Sequence, residues 1–186
     1  MKRILLIGIA ILHFGPHPCI AQSDSVYVRV IDVGPGLATV VKMPGDFYMV
    51  YDAGHWNGEG SRAFAGISDV IPPGEEIYLM VLSHSDSDHQ GAVERIFNAY
   101  TVKKIIRGGL ERTGTKTWVR ADSTIDAHAA AGTTEEINLK TAEFPPGGTY
   151  KFGDTFVTFV AGFYEPPMDW NMHGEVPYRG RARVRG

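Results

Sequence analysis

A chain of 186 residues, 44% of them hydrophobic, lies in the range of one domain able to bury a real core. The formal charge of −3 hides an asymmetry: all 21 acidic residues lie within 22–178 together with 12 of the 18 basic ones, so that segment carries −9. This balance argues against generic electrostatic attachment to nucleic acid, and a single cysteine, Cys19, excludes an internal disulfide framework.

Residues 1–21 pattern as a secretory signal peptide. Lys2 and Arg3 open it, Ile4 to Leu12 is an apolar run too short to span a bilayer, and Cys19-Ile20-Ala21 ends on a small residue before Gln22. Cleavage there predicts a secreted or periplasmic protein with no membrane span and no cysteine. Any metal it holds must then rest on histidine and carboxylate.

Val26 to Val33 is β-branched and bounded by Gly34-Pro35-Gly36, which predicts a strand and a turn. Leu37 to Lys42 is a second strand. Met43-Pro44-Gly45-Asp46 has the Pro and Gly of a type II turn, and Phe47 to Tyr51 completes a meander. Asp52-Ala53-Gly54-His55 closes the third strand, and a Gly-rich loop is expected from there to about Ile67.

Ile77 to Leu82 is apolar throughout, as in a strand buried on both faces. Ala92, Val93, Ile96, Phe97 and Tyr100 then recur at helical spacing, and Val102 to Ile106, closed by Gly108-Gly109, is another strand. A second helix is expected over Trp118 to Ala131, stopped by Gly132. Strand returns at Ile137 to Ala142 and in a hairpin, Thr149–Phe152 with Thr155–Val160. The alternation predicts an α/β or α+β protein. After Phe163 the pattern breaks, and Val176 to Gly186 is Gly/Arg-rich; a disordered basic tail and loss of the natural reading frame are the two readings, the second preferred.

Between the buried strand and the following helix lies Leu82-Ser83-His84-Ser85-Asp86-Ser87-Asp88-His89-Gln90-Gly91. His84, Asp86, Asp88 and His89 are nitrogen and oxygen donors of the kind that zinc, manganese or iron accept, spaced by small serines. The loop falls at the carboxyl end of a strand, where open α/β sheets place ligands. The alternative is structural: Asp86, Ser87 or Asp88 would cap the helix, and the histidines would be polar surface groups. Four donors in six residues favour the metal site.

His84-x-Asp86-x-Asp88-His89 resembles the HxHxDH signature of the metallo-β-lactamase superfamily in its HxDxDH form, typical of the soluble hydrolase domain of DNA-uptake (competence) channel proteins and their secreted relatives. Val30-Ile31-Asp32-Val33-Gly34-Pro35-Gly36 resembles the family's opening strand and turn, and Asp52-Ala53-Gly54 its Asp-Ala-Gly at the end of the third strand. The resemblance covers about residues 26–160. It implies an αββα sandwich, here incomplete, over residues 22–165, with 166–186 as an irregular tail. It implies His84 and Asp86 at one metal site, Asp88 and His89 at a second, Asp88 orienting the attacking water as the catalytic residue, and Asp52 supporting the loop. One or two divalent ions are expected, zinc first, with manganese or magnesium admitted beside it by the carboxylate of Asp86. The histidine of the relatives' "HHGS"-like stretch and the aspartate of their "TGD"-like stretch have no counterpart here; His173 stands in no matching context.

The expected function is a metal-dependent hydrolase attacking a phosphodiester or other ester-like bond, its substrate a small molecule or phosphodiester. A truncated, inactive metal-binding or interaction module is the alternative. His55 is a weak candidate for substrate contact.

Overall fold

The computed structural model describes residues 25–55, 60–108, 113–138, 149–152 and 155–158. Strands β1 (Tyr27–Val30), β2 (Ala38–Met43) and β3 (Phe47–Ala53) form an antiparallel meander. At the turn between β2 and β3, Gly45 sits at φ +85, the conformation a type II turn demands and a side chain resists. Next come helix α1 (Ser61–Ser68), strand β4 (Glu76–Leu82), and helices α2 (Ser87–Gln90) and α3 (Val93–Ala99). They are followed by strands β5 (Thr101–Val102) and β6 (Lys104–Arg107), helix α4 (Lys116–Ala130), and strand β7 (Glu135–Asn138). Strands β8 (Thr149–Phe152) and β9 (Thr155–Thr158) pair as a hairpin.

The main sheet has the order β1-β2-β3-β4-β6-β7, with β5 paired to β4, and runs parallel from β3 onward. Its two faces bury different clusters. One packs Val40, Val50, Ile77, Met80 and Ile105 against α1, α3 and α4 through Ile67, Ile96 and Ile125. The other carries Met43, Met49, Leu79, Val81 and Ile106, with Tyr150 and Val157 of the β8–β9 hairpin packed on it. β4 serves both clusters, which is why its sequence is apolar at nearly every position. The result is the expected mixed α/β architecture.

Two expectations differ from the structure. The segment predicted as loop up to about Ile67 contains α1, which buries Ala63, Gly66 and Ile67. Its glycines disguised it: Gly60 at φ +62 turns the chain into the helix, and a Cβ on Gly66 would meet Ile31 Cγ2 at 2.5 Å. Glycine here allows close packing rather than a loop.

The single helix expected after the motif is two, α2 and α3, separated by Gly91 and Ala92. The carbonyl of Asp88 accepts from Leu37 N–H (3.0 Å), and Ala92 N–H donates to the carbonyl of Ala53 (2.7 Å). These are the two ends of what would be one i→i−4 bond, so the strands take the bond that would have joined the helices.

The expected helix at Trp118–Ala131 is α4, begun by Thr115, whose side chain accepts from Trp118 N–H (3.1 Å), and closed at Gly132 with φ +69. Residues 1–21, 139–142, the hairpin's Gly153-Asp154, His173 and the tail from 166 lie outside the described residues.

Candidate metal centre

The site stands at the carboxyl ends of the parallel strands, where β3 ends in Asp52-Ala53 and β4 leads into Ser83. Asp52 is fully buried and holds φ +53, a left-handed conformation uncommon outside glycine. Its carboxylate accounts for the cost. Oδ1 accepts from Ser83 N–H at 2.8 Å, and Oδ2 accepts from Ser83 Oγ at 2.7 Å and from His89 Nδ1 at 2.8 Å. One buried carboxylate thus ties down the first residue of the motif loop and the last histidine of it.

The loop itself is clamped from the other side. Gly36, at φ +144, lies so near the loop that a Cβ would stand 2.7 Å from the Asp88 carbonyl oxygen. Gly54 is closer still, against the Asp88 carbonyl and the His89 amide, and Gly60 lies against Gly91 and Ala92. The glycines of the two upstream motifs are therefore what let three backbones meet at Asp88 and His89.

His84, Asp88 and His89 converge: each offers a ligand atom within 4.8 Å of the others. The His84 and His89 rings lie 3.8 Å apart between centroids, tilted by 51°. His84 Nε2 is 3.8 Å from Asp86 Oδ2, and His89 Nε2 is 3.8 Å from Asp88 Oδ2. The two pairs that the resemblance implies, His84 with Asp86 and Asp88 with His89, thus lie next to each other. Both imidazole Nδ1 atoms are drawn toward Ser83 and Asp52, which brings the rings together, while Asp86 stands beside His84 at the edge. Of the capping alternative, Asp86 does stand at the N-cap of α2 but makes no side-chain capping bond. His55 is partly exposed just beyond β3.

The donor set fits a divalent ion. Two imidazoles and a carboxylate within reach of one another are a borderline ligand set that zinc accepts, and the carboxylates admit a harder ion. Hydrogen bonds behind each ring fix its orientation, as ligating histidines require.

Sequence reasoning missed three residues here. Ser83 reads as a spacer in a serine-rich loop. Gln90 is buried and its side chain donates to the Ser85 carbonyl, bracing the loop from within. Arg107, at the end of β6, is 8% exposed and bonds Asp122 of α4 (2.6 Å) and Glu136 of β7 (2.9 Å). Burial alone would lower its pKa, but the two carboxylates outweigh that and hold the guanidinium above its ordinary value. With His84, Ser85, Gln90 and Asn138 it lines a small hollow beside the cluster. A polar residue closing an apolar strand, as Arg107 closes Ile105-Ile106, was the one signal available.

The family model of the metallo-β-lactamase superfamily matches residues 31–171. The chain belongs to the metallo-β-lactamase superfamily. Members of this superfamily are hydrolases that bind divalent metals, and the fold and the His/Asp/His cluster of this chain agree with that membership. Among solved structures, one similar chain is described as the hydrolase AbOPH in the β-lactamase superfamily, with 14% identity, 61% of this chain and 46% of that chain covered, and a TM-score of 0.38. Another is a long form RNase Z from yeast, with 12% identity, 70% and 20% covered, and a TM-score of 0.40. This metallo-β-lactamase superfamily chain thus spans less than half the length of these two solved structures. No curated protein matches it.

Proposed function

We propose that this chain is a metal-dependent hydrolase acting on a phosphodiester or another ester-like bond. The observation that carries the proposal is the convergence of His84, Asp88 and His89 with both Nδ1 atoms tied back, which leaves the Nε2 atoms to a metal. His84, Asp88 and His89 would hold the ion, with Asp86 beside His84. A divalent ion there supplies Lewis acidity and makes water acidic near neutral pH. Asp88 would take up a proton from the attacking water. Asp52 and Ser83 keep the imidazoles aimed.

Phosphodiester is preferred among ester-like substrates because the HxDxDH form resembles that of the hydrolase domain of DNA-uptake channel proteins. Acyl and thioester substrates suit the same ligands. We also propose export from the cytoplasm on the pattern of residues 1–21; no helix among the described residues is long and apolar enough to cross a membrane.

The test is turnover of bis(p-nitrophenyl) phosphate by the protein supplied with zinc or manganese. Turnover should stop with a chelator and in His84→Ala. Hydrolysis indifferent to both would end the proposal. A second reading is favoured by the candidate ligands among the described residues all coming from one loop: a chain that binds metal and catalyses nothing. Tight metal binding in calorimetry without turnover of acyl, thioester or phosphodiester substrates would select it.

A further inference from the structure

The hydroxyl of Ser83 stands between the buried carboxylate of Asp52 and the imidazole of His84. Its oxygen is 2.7 Å from Asp52 Oδ2 and 2.9 Å from His84 Nδ1. An ionised carboxylate only accepts hydrogen bonds. Two groups meet Asp52 Oδ2, so both must donate to it: His89 through Nδ1–H and Ser83 through its single hydroxyl proton. Toward its other neighbours, His84 Nδ1 at 2.9 Å and the shared His89 Nδ1–H at 3.3 Å, the Ser83 oxygen is then an acceptor, and His84 must carry its proton on Nδ1. Neutral imidazole has one N–H, so Nε2 of His84 is left as a lone pair.

The same reasoning leaves Nε2 of His89 as a lone pair through its direct bond to Asp52. The two histidines are thus set by one carboxylate, one at first hand and the other through a hydroxyl. Both Nε2 atoms face acidic members of the motif, Asp86 and Asp88 at 3.8 Å each.

We propose that Ser83 is a positioning residue: its hydroxyl relays the Asp52 charge to His84 and commits that imidazole to present Nε2 to the metal. The proposal rests on the metal-site reading above. Without the hydroxyl, none of the bonds described holds the Nδ1 proton of His84, and the ring is free to change tautomer or turn.

The experiment has two arms. The first is nitrogen NMR of the histidines in the metal-free full chain, above the pH range in which imidazole ionises, with His84 assigned from the His84→Ala spectrum. Wild type should show His84 protonated on Nδ1, Ser83→Ala should move it toward Nε2 protonation, and Ser83→Thr, which keeps the hydroxyl, should restore it. The second arm is zinc affinity by calorimetry: Ser83→Ala should bind about 10- to 100-fold more weakly, the range seen when a partner behind a ligating histidine is lost, and Ser83→Thr should recover most of it.

Wild-type His84 protonated on Nε2 would overturn the proposal, and that result requires no variant to fold. A Ser83→Ala protein with wild-type tautomer and wild-type affinity would overturn it equally. If wild type takes up neither zinc nor manganese, the hydrolase reading falls, while the tautomer arm still decides the role of Ser83.

Discussion

Gly54 lies in backbone contact with Asp88. A Cβ added to Gly54 would fall inside the carbonyl group of Asp88 and the amide of His89, and the neighbouring Leu37 binds both partners, accepting from Gly54 N–H at 2.9 Å and donating to the Asp88 carbonyl at 3.0 Å. The end of β3 and the start of the metal motif are therefore held at a separation that only glycine permits.

Gly54→Ala must push the motif away from β3. Overpacking against side chains costs about 1–3 kcal/mol, and backbone yields less readily, so the loss should reach or exceed the top of that range. Gly34→Ala is the control: its φ of +71 strains an alanine, but nothing lies within 4 Å of the added carbon. Urea unfolding should rank Gly54→Ala well below Gly34→Ala; equal stabilities would mean that the close approach is not a constraint.

Asp52→Ala removes the acceptor of Ser83 N–H, Ser83 Oγ and His89 Nδ1 together. Ser83 N–H and His89 Nδ1, both part-buried, lose this acceptor at a cost of about 1 kcal/mol each, and zinc affinity should fall by about 10- to 100-fold as the rings lose their anchor. Calorimetry on the purified variant checks the second figure. Affinity equal to wild type would show that the carboxylate serves the loop but not the ligands.

Arg107 ties the end of β6 to α4 and β7. Replacing it with methionine leaves Asp122 and Glu136 facing each other with no cation. Breaking a buried ion pair from one side costs about 3–5 kcal/mol, and the partial exposure of these carboxylates places the expected loss near 3 kcal/mol. Adding Asp122→Asn and Glu136→Gln to Arg107→Met should recover part of it. Thermal or urea melts of the two variants decide this, and no recovery would show that packing of the side chain dominates.

Tyr51 sits beside Asp52 and Ser83. Burial raises its pKa above 10.0, the Asp52 charge raises it further, and contact with Ser83 works in the opposite direction. The unfolded phenol therefore ionises first as pH rises. The protein keeps the full contribution below the ordinary tyrosine value and loses it as pH rises through the higher folded value. Unfolding free energy measured from about pH 9 to 11 should fall less steeply in Tyr51→Phe than in wild type. An identical slope would refute the assignment.

Metal removal should destabilise the protein by linkage. An ion held by the folded chain alone at 100 times its dissociation constant adds about 2.7 kcal/mol. Scanning calorimetry with zinc and then with excess chelator should show the melting temperature fall, and His84→Ala should abolish the difference. A melting temperature indifferent to zinc in wild type would contradict a site in the folded state.

Most of the fold was legible because its signals are local. β4 announced itself as an unbroken apolar run, α4 by its helical spacing and terminal glycine, and the hairpin by its turn. The helix α1 was not legible, since Gly60 and Gly66 mimic a loop, and their purpose depends on Gly91, Ala92 and Ile31, which are distant in sequence. The break between α2 and α3 was hidden for the same reason: its cause is the pair of bonds from Leu37 and to Ala53.

The sequence by itself determined the chemistry: nitrogen and oxygen donors packed into six residues at the end of a buried strand. Tertiary structure alone decided how those donors group. Which nitrogen of each histidine points forward depends on a carboxylate more than thirty residues away and a serine that looks like a spacer. Donor type is a property of single residues, whereas tautomer and convergence are properties of hydrogen bonds between elements that only folding brings together.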